Sequence, residues 1–184
     1  MRPANESFRV STILLVIAGV LLADFAVRVF YVRLILPQFE AKPPFFVTQH
    51  APDPAAETIA TVTTDGYLLR GTVFRSEGPA RGVILFCPEL DGNRWSAAYY
   101  AEGLIQAGFD VVSFDFRGQG NSETQPGYSP IHWPTDFEMK GVDAAIAWIH
   151  EQPEWLGLPL GTFGISRGSL IALMAAGDHP EVRA

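Results

Sequence analysis

Between Leu158 and Gly177 the chain leaves itself almost no slack. The apolar run "LPLGTFGI" (158–165) has the length of a buried strand, and "SRGSLIALMAAG" (166–177) has the composition of a helix, with nothing between them to serve as a loop. The junction reads Gly164-Ile165-Ser166-Arg167-Gly168. A strand enters a helix this abruptly only through a tight turn, and glycines on both flanks remove the side chains that would crowd it. Ser166 then stands at a helix N-terminus, where unpaired backbone N–H groups favour developing negative charge. A plain serine N-cap is the competing reading.

The rest of the C-terminal part alternates strands with helices. "TIATVTTDGYLLRGTVFR" reads as two strands joined at Asp65-Gly66, a hairpin-turn dipeptide. "GVILFC" (82–87) is wholly apolar, as expected of a strand buried on both faces. "SAAYYAEGLIQAG" (96–108) has helical spacing, "FDVVSFDF" (109–116) is the next strand, and "DFEMKGVDAAIAWIHEQ" (136–152) is an amphipathic helix with a proline after it. This order predicts an α/β domain over residues 57–184 with a mostly parallel sheet of about five strands. The strand at 158–165 is apolar on both faces.

Residues 1–36 belong to a different regime. "VSTILLVIAGVLLA" (10–23) carries no charge, and apolar character continues to Leu36, interrupted by Asp24, Arg28 and Arg33. The uncharged part is too short to cross a bilayer core, which needs about 20 apolar residues. Counted through Val32 it suffices, provided that Arg28 snorkels and pairs with Asp24 one helical turn away. A single uncleaved transmembrane anchor is expected; a cleaved signal peptide and a helix packed on protein are the alternatives, and "LLADFAV" offers no good cleavage site. The flanking charges do not fix its orientation. Residues 37–56 hold five prolines and little periodicity, the pattern of a linker.

A net charge of −7 and the lack of any Lys/Arg cluster argue against a nucleic-acid partner. The single cysteine, Cys87, excludes an internal disulfide framework, gives no metal-ligand spacing, and reads as a small buried core residue.

The order hairpin, strand, helix, strand, helix, strand, Gly-x-Ser-x-Gly, helix resembles the N-terminal part of the α/β-hydrolase fold. "FDFRGQGNSE" (114–123) is similar to that family's Asp-x-Arg-Gly-x-Gly-x-Ser signature after the fourth strand, and "LFCPELDGNRWS" (85–96) stands where members usually carry His-Gly before an oxyanion-hole residue. Within the family the resemblance is to the serine aminopeptidase and monoacylglycerol-lipase-like branch. It implies that Ser166 is the nucleophile and that Arg167 and Leu90 offer backbone N–H groups to an oxyanion. Pro88-Glu89 replaces the usual His-Gly. Asp115 and Arg117 match the signature after the fourth strand, and the resemblance implies that they brace that loop rather than take part in catalysis. The implied reaction passes through an acyl-enzyme on an ester, thioester or amide, on small-molecule or lipid-like acyl substrates, and needs no metal or cofactor.

In this fold the acid and base follow the nucleophile in the chain, and neither is found here. His50 is in the linker, His150 ends a helix that leads to the opposite edge of the sheet, and His179 lies past a helix about 18 Å long. His132, in the loop after the fourth strand, is on the active face and reads as a pocket or surface residue rather than a base. The expectation is a membrane-anchored serine hydrolase of which residues 1–184 are the N-terminal part, inactive on their own; the alternative is a non-catalytic, membrane-tethered remnant that binds a partner. Substrate, sidedness and oligomeric state are not encoded in any recognisable pattern.

Overall fold

In the computed structural model, which describes residues 4–40, 47, 49–54 and 56–183, the N-terminal apolar segment is one helix, α1 (Ala4–Glu40). It ends at Glu40 rather than Leu36 and continues through Pro37, so the expected linker at 37–56 begins as helix. Residues 41–46, 48 and 55 of that linker lie outside the described residues. The span Val10–Gln38 has a mean hydropathy of 2.4 over its most apolar window and is long and apolar enough to cross a bilayer. The expected pair is present, with Arg28 Nε donating to Asp24 Oδ2 at 2.7 Å. Helix α1 falls in one unit of the chain, Met1–Pro43, and the remaining elements in a second, Pro44–Ala184.

The second unit is built on a five-stranded sheet: β1 (Glu57–Val62), β2 (Leu68–Phe74), β3 (Val83–Cys87), β4 (Asp110–Phe114) and β5 (Leu160–Gly164), in the order β1-β2-β4-β3-β5. Parallel pairing is confined to β4, β3 and β5; the β1–β2 hairpin joins β4 antiparallel, which makes the sheet mixed. On the outer edge of β5, Val182 forms an isolated parallel bridge with Leu160, and Arg183 N donates to Leu160 O at 2.8 Å.

Strand alternation divides the core between two faces. Leu85, Cys87, Val112 and Phe114 point to the face covered by helices α4 (Asp136–His150) and α5 (Arg167–Asp178), meeting Val142, Ile146, Ile149 and Ile171. Phe86 and Val111 point the other way, onto Trp95, Ala97 and Ala101. Burial pushes the Cys87 thiol up to about 12, in keeping with an inert core residue. The expected continuous helix at 96–108 is instead two five-residue pieces, α2 (Ser96–Tyr100) and α3 (Glu102–Gln106), separated at Ala101 (φ −102°, ψ 8°). Ala97 and Ala101 are both fully buried against the sheet, Tyr100 stacks on Phe86, and Gly103 is too weak a helix former to hold the next turn in register. Apolar spacing registers the buried face but not this break.

The hairpin turn is tied to the rest of the unit through Asp65. It accepts from Arg117 Nη2 at 2.6 Å and Nη1 at 2.9 Å, from Thr63 Oγ1 at 2.6 Å and from Lys140 Nζ at 3.3 Å. The Arg117 hydrogen bonds, helped by Thr63 and Lys140, hold the Asp65 carboxyl well below the usual carboxylate range against a modest burial penalty. A carboxylate depressed on folding stabilises the protein above its unfolded pKa, near 4, and that contribution fades as the pH falls below it. We expect Asp65→Asn to cost about 1–3 kcal/mol at pH 7, with the deficit shrinking below about pH 4. Denaturant unfolding across that range checks it, and a deficit independent of pH would contradict the assignment.

Candidate active site

Ser166 stands between β5 and α5 with φ 55° and ψ −123°, one of two non-glycine residues with positive φ among those described. Such backbone costs roughly 1–3 kcal/mol and persists only where its surroundings enforce it. The enforcement is steric. A Cβ on Gly168 would lie 2.0 Å from Cys87 O and 2.6 Å from Pro88 O, and a Cβ on Gly164 would lie 2.1 Å from Gly168 O. The first turn of α5 therefore rests backbone-to-backbone on the end of β3, and Ile165 N donates to Cys87 O at 3.2 Å. The turn leaves the Ser166 residue exposed.

The segment after β3 runs past this elbow. Leu90 is buried, Asp91 takes the other positive φ (60°), and Gln119 Nε2 donates to the carbonyls of Glu89 (2.9 Å) and Gly92 (3.1 Å). Arg94 ties the loop to Asp115: its backbone N donates to Oδ1 at 2.6 Å, and its guanidinium pairs with Oδ2. Asp115 is fully buried and also accepts from Asn121 N at 2.9 Å. The Asp-x-Arg-Gly-x-Gly-x-Ser stretch thus has a structural reading throughout. Gly120 passes so close to the Asp115 carboxylate that a Cβ would lie 2.2 Å away. Ser122 Oγ donates to Asp115 O at 2.6 Å and accepts from Arg70 N at 2.9 Å. Arg117 lies between the Tyr67 and Phe137 rings and holds Asp65.

A cavity of about 480 Å³ brings the predicted residues together: Ser166, Arg167 and Leu90 line it with Val47, Glu89, Tyr100, His132, Ile165 and Leu170. Of the four histidines, His132 shares this cavity. His150 lines a different one, beside Val83 and Leu160 at the opposite ends of β3 and β5. His179 contacts Asp143 at 3.0 Å and Glu181 at 3.3 Å. His50 stacks on Tyr99.

Arg167 does more than follow the serine. Its buried guanidinium pairs with Glu138 Oε2 at 2.9 Å, reaches Trp133 O at 3.3 Å, and makes a long 3.5 Å contact with Gln119 Oε1. Burial raises the Glu138 carboxyl, but the Arg167 charge, aided by Tyr128 and Thr135, outweighs it and leaves the group below its ordinary value. Glu138 is also the residue that closes the capping box begun by Thr135 at the start of α4. Sequence reading missed Gln119, an unassigned position inside the signature, and Glu138, whose "TDFE" capping pattern was visible but carried no hint of its partner.

Comparisons with known proteins agree with this architecture. Residues 78–184 match the family described as serine aminopeptidase, S33. The chain is 31% identical over 100 residues to the Mycobacterium tuberculosis protein Rv0571c, named as a candidate phosphoribosyl transferase, over 53% of this chain and 22% of that protein. It is 27% identical over 142 residues to the uncharacterized Escherichia coli O157:H7 protein YfhR, over 73% of this chain and 48% of that one. Among solved structures, the Pyrococcus furiosus esterase Pf2001 superposes with a TM-score of 0.62 at 22% identity, over 76% of this chain and 52% of the esterase. The chain thus spans between about a fifth and a half of the curated relatives it matches.

The elbow's steric basis gives a matched test. Gly168→Ala is expected to destabilise the protein by more than about 3 kcal/mol, since its methyl group meets two backbone carbonyls that cannot move independently. Gly177→Ala, in the same helix with nothing within 4 Å of its Cβ position, is expected to change stability by no more than about 1 kcal/mol. Equal effects in denaturant unfolding would refute the close approach.

Proposed function

The chain belongs to the serine aminopeptidase S33 family of α/β hydrolases, and on that premise we propose that it is the nucleophile-bearing part of a membrane-anchored serine hydrolase acting on a neutral carboxylic ester, thioester or amide. The observation that carries the reading is the exposed Ser166 on its strained turn, in one cavity with Leu90 and Arg167. Ser166 Oγ attacks the acyl carbonyl and gives its proton to a general base. The tetrahedral oxyanion is held by the backbone N–H groups of Leu90 and Arg167, the latter at the first position of α5 where helix amides have no internal partner. Collapse expels the alcohol, thiol or amine with that proton, and water then hydrolyses the acyl-enzyme. The residues described need no metal or cofactor for these steps.

Substrate class follows from the cavity's chemistry. Val47, Leu90, Ile165 and Leu170 offer apolar wall. The Arg167 guanidinium is committed to Glu138, so it is not free to receive a charged substrate. An anionic substrate would find little compensation there, whereas a neutral, lipid-like acyl group fits. Helix α1 supplies the anchor, with Asp24 and Arg28 paired so that neither charge enters the bilayer alone. The acid and base come from parts of the protein outside residues 1–184, which cover only about half of the solved esterase.

Two outcomes follow. Protein made from its whole reading frame is expected to turn over a short p-nitrophenyl ester, Ser166→Ala to lower kcat by at least about a thousandfold, and residues 1–184 alone to be essentially inactive. Absence of turnover in the whole protein would transfer the case to a non-catalytic binding module. Turnover that persists in Ser166→Ala would remove Ser166 as the nucleophile, and activity of residues 1–184 lost in both Ser166→Ala and His132→Ala would make His132 the base. The protein is also expected to remain in the membrane pellet after carbonate washing and to be released by detergent. A soluble product starting after residue 30 would show cleavage instead.

A further inference from the structure

The cavity beside Ser166 has one wall that the hydrolase framework does not provide. Val47 lines it, although it lies outside the residues matched to the family. Asn93 ties down the residues just after Val47. Its buried side chain donates from Nδ2 to Gln49 Oε1 at 2.8 Å and to His50 O at 3.1 Å, while Oδ1 accepts from Trp95 N at 3.1 Å. Gln49 Nε2 returns a hydrogen bond to Asp91 O, next to Leu90. The His50 ring stacks on Tyr99 at 5.7 Å and meets Tyr100 edge-on at 6.4 Å, and Tyr100 lines the same cavity. A strap that precedes the sheet is therefore clasped to the loop carrying a proposed oxyanion donor, and Val47, among its described residues, lines the same space as Ser166.

From this juxtaposition we infer that Val47, Gln49 and His50 form a substrate-discriminating strap, with Val47 as the residue that limits acyl-chain length and Asn93 as the positioning residue that holds it. The inference rests on the hydrolase reading above. It adds that selectivity at Ser166 is set from the N-terminal side of the sheet. Burial explains why one asparagine suffices. Both donors of its amide are used on the strap and its oxygen on the turn that opens α2, so the clasp and the loop move together. A carboxylate at that position keeps the acceptor for Trp95 N but loses both donors and faces two oxygens.

The test is acyl-chain selectivity of the whole protein in membrane vesicles, read as the ratio of kcat/KM for p-nitrophenyl decanoate to that for the butyrate. Val47→Trp is expected to lower this ratio about tenfold and Val47→Ala to raise it about threefold, within the range that pocket volume confers on apolar substrates. Asn93→Asp, which unclasps the strap, is expected to raise the ratio as Val47→Ala does. The small variant and Asn93→Asp decide the matter if the tryptophan is not tolerated. Ratios within twofold of the parent in all folded variants would overturn the strap and leave the hydrolase intact. A parent without Ser166-dependent turnover would overturn the hydrolase reading and the strap with it, a result distinct from the first.

Discussion

The first turn of α5 lies against the C-terminal end of β3 with no side chain between them. Cys87 and Pro88 carbonyls occupy the space that a methyl group on Gly168 would need, and the Gly168 carbonyl occupies that of Gly164. This contact sets the angle at which the chain leaves β5, and with it the positive φ of Ser166. It also fixes where the chain leaves β3, since Cys87 O accepts from Ile165 N. The serine and the loop bearing Leu90 are thereby registered against each other before any side chain contributes. Strain of a few kcal/mol at one residue is affordable because it is spread over two strands and a helix that all gain packing from the arrangement.

Side-chain polarity then makes the arrangement rigid. Asp115 is fully buried and would be costly if unpaired, but it accepts from the Arg94 backbone and guanidinium and from Asn121. Gln119 bridges outward from the same loop to the carbonyls that flank Leu90, and its oxygen approaches Arg167. Glu138 closes the frame by joining the α4 cap to Arg167. Buried ion pairs of this kind contribute little net stability over apolar packing, and losing one partner costs several kcal/mol. Their effect is to penalise alternative placements of the two loops.

What could be read from the sequence follows the range of the interactions involved. The strand at 82–87, the hairpin at Asp65-Gly66 and the strand-to-helix junction at Ser166 are local patterns, and the structure keeps them all. The i,i+4 pair of Asp24 and Arg28 is equally local and is present. Failures arise where a residue answers to a distant partner. Ala101 leaves helical geometry because the sheet buries it together with Ala97, a demand that apolar spacing at 96–108 does not express. Gln119 and Asn93 are ordinary polar letters until the fold brings carbonyls 27 and 43 positions away into reach. Ser166, Leu90 and Arg167 share a cavity as their pattern predicts, yet nothing local in the sequence tells that the Arg167 side chain is buried against Glu138.

The frame explains why the proposed nucleophile and oxyanion donors can be assembled separately from the groups that would move protons. Everything that shapes the Ser166 turn comes from β3, β5, α5 and the two loops that Gln119 and Asp115 connect. Neither His150 nor His179 lines the Ser166 cavity; both contact Glu181, beyond α5. A base could therefore be brought to the cavity by another segment without rebuilding the elbow, because the elbow's geometry depends on backbone contact rather than on a hydrogen bond from the base. The same independence accounts for the strap. Asn93 holds it through side-chain hydrogen bonds to Gln49 and His50, so the proposed wall can vary in residue size while the contacts between Gly168 and Cys87 stay as they are.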